Sequence, residues 1–285
     1  MLKLMSSFKR KPGTSWENFS NCVETNHVPL VLECFPTLTD YRCSYTLPNG
    51  AVHVQHIDAK PPEPEFDALT ELRFEDRLEL TEFLDLCNEP LRATRISTSE
   101  ETCFNRSTMT HVIAKEYATP SETLPLFARG NPASSNNDGK VTLKMICLLK
   151  RKPGMSRDAF IEYYETMHAP LALQILPPVF ARYTRSFILT NDTDETGYNE
   201  PSSHLLQYDV VTEICFENRS QFDDFVAGCA DPAVGARLAA DEENLFDRSE
   251  IKMFLSEEHR HPPGVRLLVV LSESYRHGPG AVKSG

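Results

Sequence analysis

The chain carries the same unit twice. Aligning Lys9-Arg10-Lys11-Pro12-Gly13 with Lys150-Arg151-Lys152-Pro153-Gly154 brings His27-Val28-Pro29-Leu30 onto His168-Ala169-Pro170-Leu171 at an offset of 141 residues. One residue slips in before the next landmark. From Phe66-Asp67 against Tyr208-Asp209 the offset is 142, and it holds through Cys87/Cys229, Pro90/Pro232, Phe104/Phe246 and Arg106/Arg248. Register kept over such unlike residue types marks one small domain repeated, since a solenoid needs at least three shorter repeats. The 285 residues divide into a first unit at 1–117, a linker at 118–140, a second unit at 141–259 and a tail at 260–285.

Each unit opens with a strand signal, clearest where Val141, Leu143, Met145, Cys147 and Leu149 alternate with Thr142, Lys144, Ile146 and Leu148. Pro-Gly then makes a turn, and Ser15 or Ser156 is placed to cap a helix whose apolar face in the second copy is Phe160, Tyr163, Tyr164 and Met167. His168 lies at the end of that face, before Pro170. Strands are expected at Tyr41 to Tyr45 and Tyr183 to Ile188, and again at Asp67 to Phe74 and Asp209 to Phe216. A second helix passes Leu80, Phe83, Leu84 and Cys87, or Phe222, Phe225, Val226 and Cys229. A helical or irregular segment at Glu100 to Phe104 or Asp241 to Phe246 leads to a last strand at Thr108 to Lys115 or Glu250 to Leu255. Polar stretches at 48–65 and 191–204 read as mobile loops. The order βαββαβ is the ferredoxin-like unit, an α+β fold with two helices on one sheet face. Its bare face would be a large apolar patch, so the two units are expected to pack sheet against sheet.

A net charge of −12 argues against nucleic acid or an anionic membrane as partner, since both demand a basic surface. No apolar run has the length of a membrane span, and no leader opens the chain, so a cytoplasmic protein is expected. The eight cysteines form no CxxC pair and read as reduced thiols, several of them in cores. His53-x-x-His56 lacks the further ligands of a zinc site, and no metal is expected. Nucleotide-binding and serine-hydrolase motifs are absent.

A basic-Pro-Gly turn, Ser-x-x-x-Phe, His-Ala-Pro-Leu, a Tyr strand, an aromatic-Asp strand start and Asp-Glu-x-x-x-Phe together resemble the EthD family of dimeric α+β barrel proteins. The second copy matches more fully, through Lys152-Pro153-Gly154, Phe160, His168 to Leu171, Tyr183, Tyr208-Asp209, Asp241-Glu242 and Phe246; the first has Ser99-Glu100 where the second has Asp241-Glu242. The usual assembly of that family is a homodimer with a pocket between the sheet and helices of each unit. The resemblance implies that this chain is a covalent pseudodimer, monomeric in solution. It also implies a lyase or cyclase without cofactor that decarboxylates or dehydrates an aromatic, polyketide-like small molecule. The alternatives it leaves open are a cofactor-free or haem-dependent oxygenase on the same barrel and a non-catalytic small-molecule binder.

His168 and His27 are the candidate acid/base groups, because imidazole moves protons in both directions near neutrality. Asp241 is the candidate partner that orients the imidazole. The competing readings are a helix-ending histidine that caps carbonyls and an exposed or capping acid. Tyr183 and Arg185 share a strand face and could hold a phenolate or carboxylate, while Tyr163, Tyr164, Phe160, Phe187 and Phe222 could stack on a substrate or simply fill the core. Chemistry is expected first in the second half.

Overall fold

The computed structural model describes residues 1–54, 64–120, 123–124, 142–190 and 203–261. Most of the loops expected at 48–65 and 191–204, His56, most of the linker and the tail beyond 261 lie outside the described residues.

In the first half, β1 (Leu2–Lys9) is followed by α1 (Trp16–Cys22), a π-helical turn (Val23–His27) and α2 (Val28–Cys34). Then come β2 (Tyr41–Ala51), β3 (Ala68–Phe74), α3 (Arg77–Cys87), α4 (Pro90–Cys103) and β4 (Asn105–Ala118). The second half repeats the order with β5 (Thr142–Leu149), α5 (Arg157–Tyr163), a π-turn (Tyr164–His168), α6 (Ala169–Ile175) and β6 (Arg182–Ile188). It closes with β7 (Val210–Phe216), α7 (Arg219–Cys229), α8 (Pro232–Leu245) and β8 (Lys252–His261). The serine caps form as the sequence suggests: Asn18 donates its backbone N–H to Ser15 Oγ and Ala159 donates to Ser156 Oγ, each at 3.2 Å. The segments before the last strands are full helices, α4 and α8, which the bare βαββαβ order does not contain.

The eight strands close into one barrel in the order β1-β3-β2-β8-β5-β7-β6-β4, with β4 returning to β1. Each half lends its last strand to the other: β4 pairs with β1 on one side and β6 on the other, and β8 pairs with β5 and with β2. These strands run longer than expected because cross-barrel pairing extends them to Ala118 and His261. The helices cover the outside of the barrel, and the two helix-to-sheet layers form separate cores around Phe8, Phe19 and Phe104 and around Phe160, Tyr164 and Phe246.

Period-two alternation sends the other residues of the strands inward. Part of the interior is apolar, with Met5, Leu69, Val112, Ile146, Leu148, Val211 and Phe254. The rest is ionic. Lys3 Nζ stands 2.7 Å from Glu71, 2.7 Å from Glu116 and 2.5 Å from Glu213. Lys144 reaches Glu213 and Glu258 at 2.5 Å and also pairs with Glu71. Arg73 adds a cation 2.8 Å from Glu116, and Arg182 pairs with Glu258. Lys3/Lys144, Glu71/Glu213 and Glu116/Glu258 are equivalent positions of the two copies, so the lysine–glutamate part of the network has the pseudo-twofold symmetry of the barrel, while Arg73 and Arg182, whose counterparts are Cys215 and Asp40, stand outside it. Burial alone would lower the Lys144 pKa, but Glu213, Glu258 and Glu71 outweigh it and hold the ammonium well above its ordinary value.

Removing one cation should leave uncompensated buried carboxylates. Lys144→Met is expected to destabilise the protein by about 3–5 kcal/mol, read as a lowered urea midpoint; an unchanged midpoint would show that the network is not closed as described.

Candidate functional site

The π-turns explain how the histidines reach their positions. Pro29 and Pro170 have no N–H to continue the α-helical ladder, and Val28 and Ala169 instead donate to the carbonyls of Val23 and Tyr164, five residues back. In an α-helix, residues five apart are rotated by about 140°; wider i→i+5 winding brings them nearer one face. Tyr163 and His168 therefore converge on one carboxylate. His168 Nδ1 lies 2.6 Å from Asp241 Oδ2, and Tyr163 donates its hydroxyl to Asp241 Oδ1 at 3.1 Å. Asp241 sits inside α8 and caps nothing, and both His168 and Asp241 are buried. With Nδ1 engaged, Nε2 is the ring nitrogen left for the cavity that His168 lines.

That cavity has a volume of about 80 Å³, partly open to solvent, between the second half's sheet and helices. Its wall is mainly apolar, including Met145, Cys147, Leu149, Phe180, Phe225 and Met253. Its polar groups are His168, Glu242, Thr212 and the phenols of Tyr164 and Tyr183. Tyr164 Oη is 2.8 Å from Thr212 Oγ1 and 3.4 Å from Tyr183 Oη. Burial pushes the Tyr183 phenol up to about 12 and the Tyr164 phenol well above its usual value, so both stay protonated. Tyr164 and Phe246 meet the His168 ring edge to face at 4.8 and 5.1 Å.

The other candidates are placed apart from this wall. Arg185 is held by Glu165 at 2.9 and 2.5 Å and donates to Thr119, with its guanidinium stacked over the Tyr183 ring. Phe160 and Phe187 pack behind Tyr164, and Phe222 packs on Phe216. In the sequence Tyr163 reads as a ring that fills the core or stacks on a substrate, and α-helical periodicity conceals its approach to Asp241.

The equivalent cavity of the first half is larger, about 580 Å³, and more polar, with His27, Ser6, His111, Glu100 and Arg106 on its wall. Ser6 Oγ lies 2.7 Å from His111 Nδ1, and Glu100 pairs with Arg106 at 2.8 Å. His27 has Ser99 at 3.3 Å where His168 has an acid. Against the expectation of reduced thiols throughout, Cys22 and Cys103 form a disulfide with Cα atoms 5.3 Å apart; α1 and α4 bring together residues 81 apart in sequence, a proximity no local spacing signals. Their counterparts are Tyr163 and Leu245. The other six cysteines are free thiols, five of them buried. No helix among the described residues is long and apolar enough to cross a membrane.

The EthD domain model matches residues 11–104 and again 152–249. No curated protein is significantly similar in sequence. Solved structures with a similar chain trace include an encapsulated DyP-type peroxidase from Mycobacterium smegmatis, 12% identical over 92% of each chain with a TM-score of 0.45. A variant of chlorite dismutase from Candidatus Nitrospira defluvii is 11% identical over 90% of each chain, with a TM-score of 0.41. A haem-binding protein from Thermus thermophilus is 11% identical over 92% of this chain and 90% of that one, with a TM-score of 0.39. At such identities and scores the likeness says nothing about chemistry.

Burial without an acidic partner holds the His27 pKa at about 4, below its ordinary 6.5. The unfolded chain then takes up a proton that the fold refuses. Stability from this group is full above pH 6.5 and falls as the pH drops towards 4, by about 3 kcal/mol in all. Urea denaturation across that window should show a flatter pH dependence for His27→Leu than for the parent protein.

Proposed function

The chain belongs to the EthD family through both of its halves, and from that premise we propose that its second half is a cofactor-independent lyase site. The reading assigns to it the removal of water from a neutral β-hydroxy carbonyl compound of aromatic, polyketide type. The observation that carries it is the buried His168–Asp241 pair at 2.6 Å, with the imidazole on the wall of an apolar cavity.

Asp241 accepts the Nδ1 proton and leaves Nε2 as the base, and Tyr163 holds the second oxygen of the same carboxylate. Nε2 takes the proton from the carbon next to the substrate carbonyl. A protonated phenol, Tyr183 or Tyr164, donates to the carbonyl oxygen as negative charge develops there. The imidazolium then returns the proton to the β-hydroxyl, which leaves as water, so the proton count closes. His27 has no acid to fix its tautomer and a lowered basicity, which makes the first half the weaker candidate for such a step.

The wall favours dehydration over decarboxylation. Among the described residues no lysine or arginine lines the cavity, Arg185 is bound to Glu165, and the Arg248 guanidinium next to Glu242 is paired with that carboxylate at 3.5 Å, so no cation is left to hold a substrate carboxylate. A cavity of about 150 Å³ is known to admit benzene, so about 80 Å³ holds the reacting carbons and leaves an aromatic ring system at the mouth. A porphyrin, larger than ligands that fill about 300 Å³ or more, does not fit this space.

The test is turnover of aromatic β-hydroxy ketones, followed by absorbance of the enone and by deuteration at the α-carbon in D2O. His168→Ala and Asp241→Asn should each lower kcat/KM on the order of 10²–10⁴-fold with an unchanged circular dichroism spectrum. Undiminished activity in His168→Ala would sink the assignment. Carbon dioxide released from ortho-hydroxy aromatic acids would favour decarboxylation, oxygen uptake an oxygenase, and tight binding without product a carrier.

A further inference from the structure

Outside both cavities, one cluster of metal-ligating side chains joins the two halves of the barrel. Cys43 on β2 faces His259 on β8 as a cross-strand pair, and His261, opposite Tyr41, follows two residues later on the same face. Glu24, from the first π-turn, lies over them. Its Oε2 is 3.4 Å from His259 Nδ1 and 3.3 Å from His261 Nε2, and Tyr45 donates its hydroxyl to Oε1 at 2.6 Å. Ligand atoms of Glu24, Cys43 and His261 all lie within 4.8 Å of one another. Ligands about 2.0–2.1 Å from a tetrahedral centre stand about 3.3 Å apart, which matches the carboxylate-to-imidazole separations.

The other half supplies an independent argument. Its equivalents of Glu24, Cys43, His259 and His261 are Glu165, Arg185, Tyr117 and Thr119. There the carboxylate is neutralised by the guanidinium of Arg185, which also binds Thr119, so a fixed cation ties the π-turn to both strands. In the first half that cation is replaced by a thiol and two imidazoles.

We propose that Glu24, Cys43 and His261 bind a divalent transition metal of zinc type, with His259 holding the Glu24 carboxylate beside them, as a clasp between the first half's helix and the second half's last strand. A thiolate, an imidazole and a carboxylate form the donor set that such borderline-soft ions select. Tyr45 orients the carboxylate from behind, as outer partners of metal ligands do. Binding displaces the Cys43 thiol proton to solvent, so metal uptake releases acid.

Cobalt(II) titration of the full-length, metal-stripped protein tests the clasp. One equivalent should bind, with a near-ultraviolet thiolate-to-cobalt band and the intense visible bands of tetrahedral cobalt, and zinc should displace it. Cys43→Ser should lose the thiolate band, His261→Ala should bind at least tenfold more weakly, and zinc should raise the unfolding temperature of the parent but not of Cys43→Ser. The His168→Ala protein should bind like the parent, which separates this site from the proposed lyase site. Absence of stoichiometric binding, or a thiolate band retained in folded Cys43→Ser, would overturn the proposal.

Discussion

Two lysines surrounded by glutamates inside the barrel determine how the halves meet. Each copy brings one lysine and two glutamates to the interior: Lys3, Glu71 and Glu116 from the first, Lys144, Glu213 and Glu258 from the second. The pairs cross the pseudo-twofold axis, Lys3 to Glu213 and Lys144 to Glu71. Arg73 pairs with Glu116 of its own half and Arg182 with Glu258 of its own, whereas the two lysine contacts across the axis exist only in the closed barrel. Buried ion pairs contribute little net stability because desolvation offsets attraction, yet an unpaired member is costly. The network therefore works against wrong registers and incomplete barrels.

Closure also decides where the helix layers lie. Because β4 and β8 each cross to the other half, residues on their outer faces contact helices and strands of both copies. That is how His259 and His261 reach Glu24, and how Thr119 reaches Arg185. The two cavities, in contrast, lie within one helix-to-sheet layer each, built from matching positions such as Tyr41/Tyr183, Thr70/Thr212 and Glu100/Glu242.

Duplication made the element order and the paired-sheet architecture legible in the sequence, since equivalent landmarks confirm each other. The interior was not legible. Lys144 in an alternating strand looks like a solvent-facing residue, and only a second sheet carrying Glu213 and Glu258 makes it an inward one. Of the site, comparing copies singled out His168 and Asp241, the one pair where the second half has an acid and the first a serine. Tyr163 read as a stacking or core ring and not as a partner of Asp241, because its approach depends on π-winding, which apolar periodicity does not encode. Arg185 looked available because Glu165, its partner, sits on a helix face that reads as exposed.

The pattern of divergence follows from these constraints. Interior positions answer to partners in the other half, and Lys3/Lys144, Glu71/Glu213 and Glu116/Glu258 are identical in type. Positions facing the helices answer only to their own layer or to one crossing strand, and there the copies differ. His168 has Asp241 and Tyr163 where His27 has Ser99 and a disulfide-bonded Cys22. Met253 and Cys147 line the second cavity where His111 and Ser6 line the first, which makes the second apolar and small and the first polar and large. A fused barrel thus lets the helix layers specialise without disturbing its shared interior. In the second layer low polarity strengthens the His168–Asp241 interaction, while in the first the buried, acid-free His27 is held neutral.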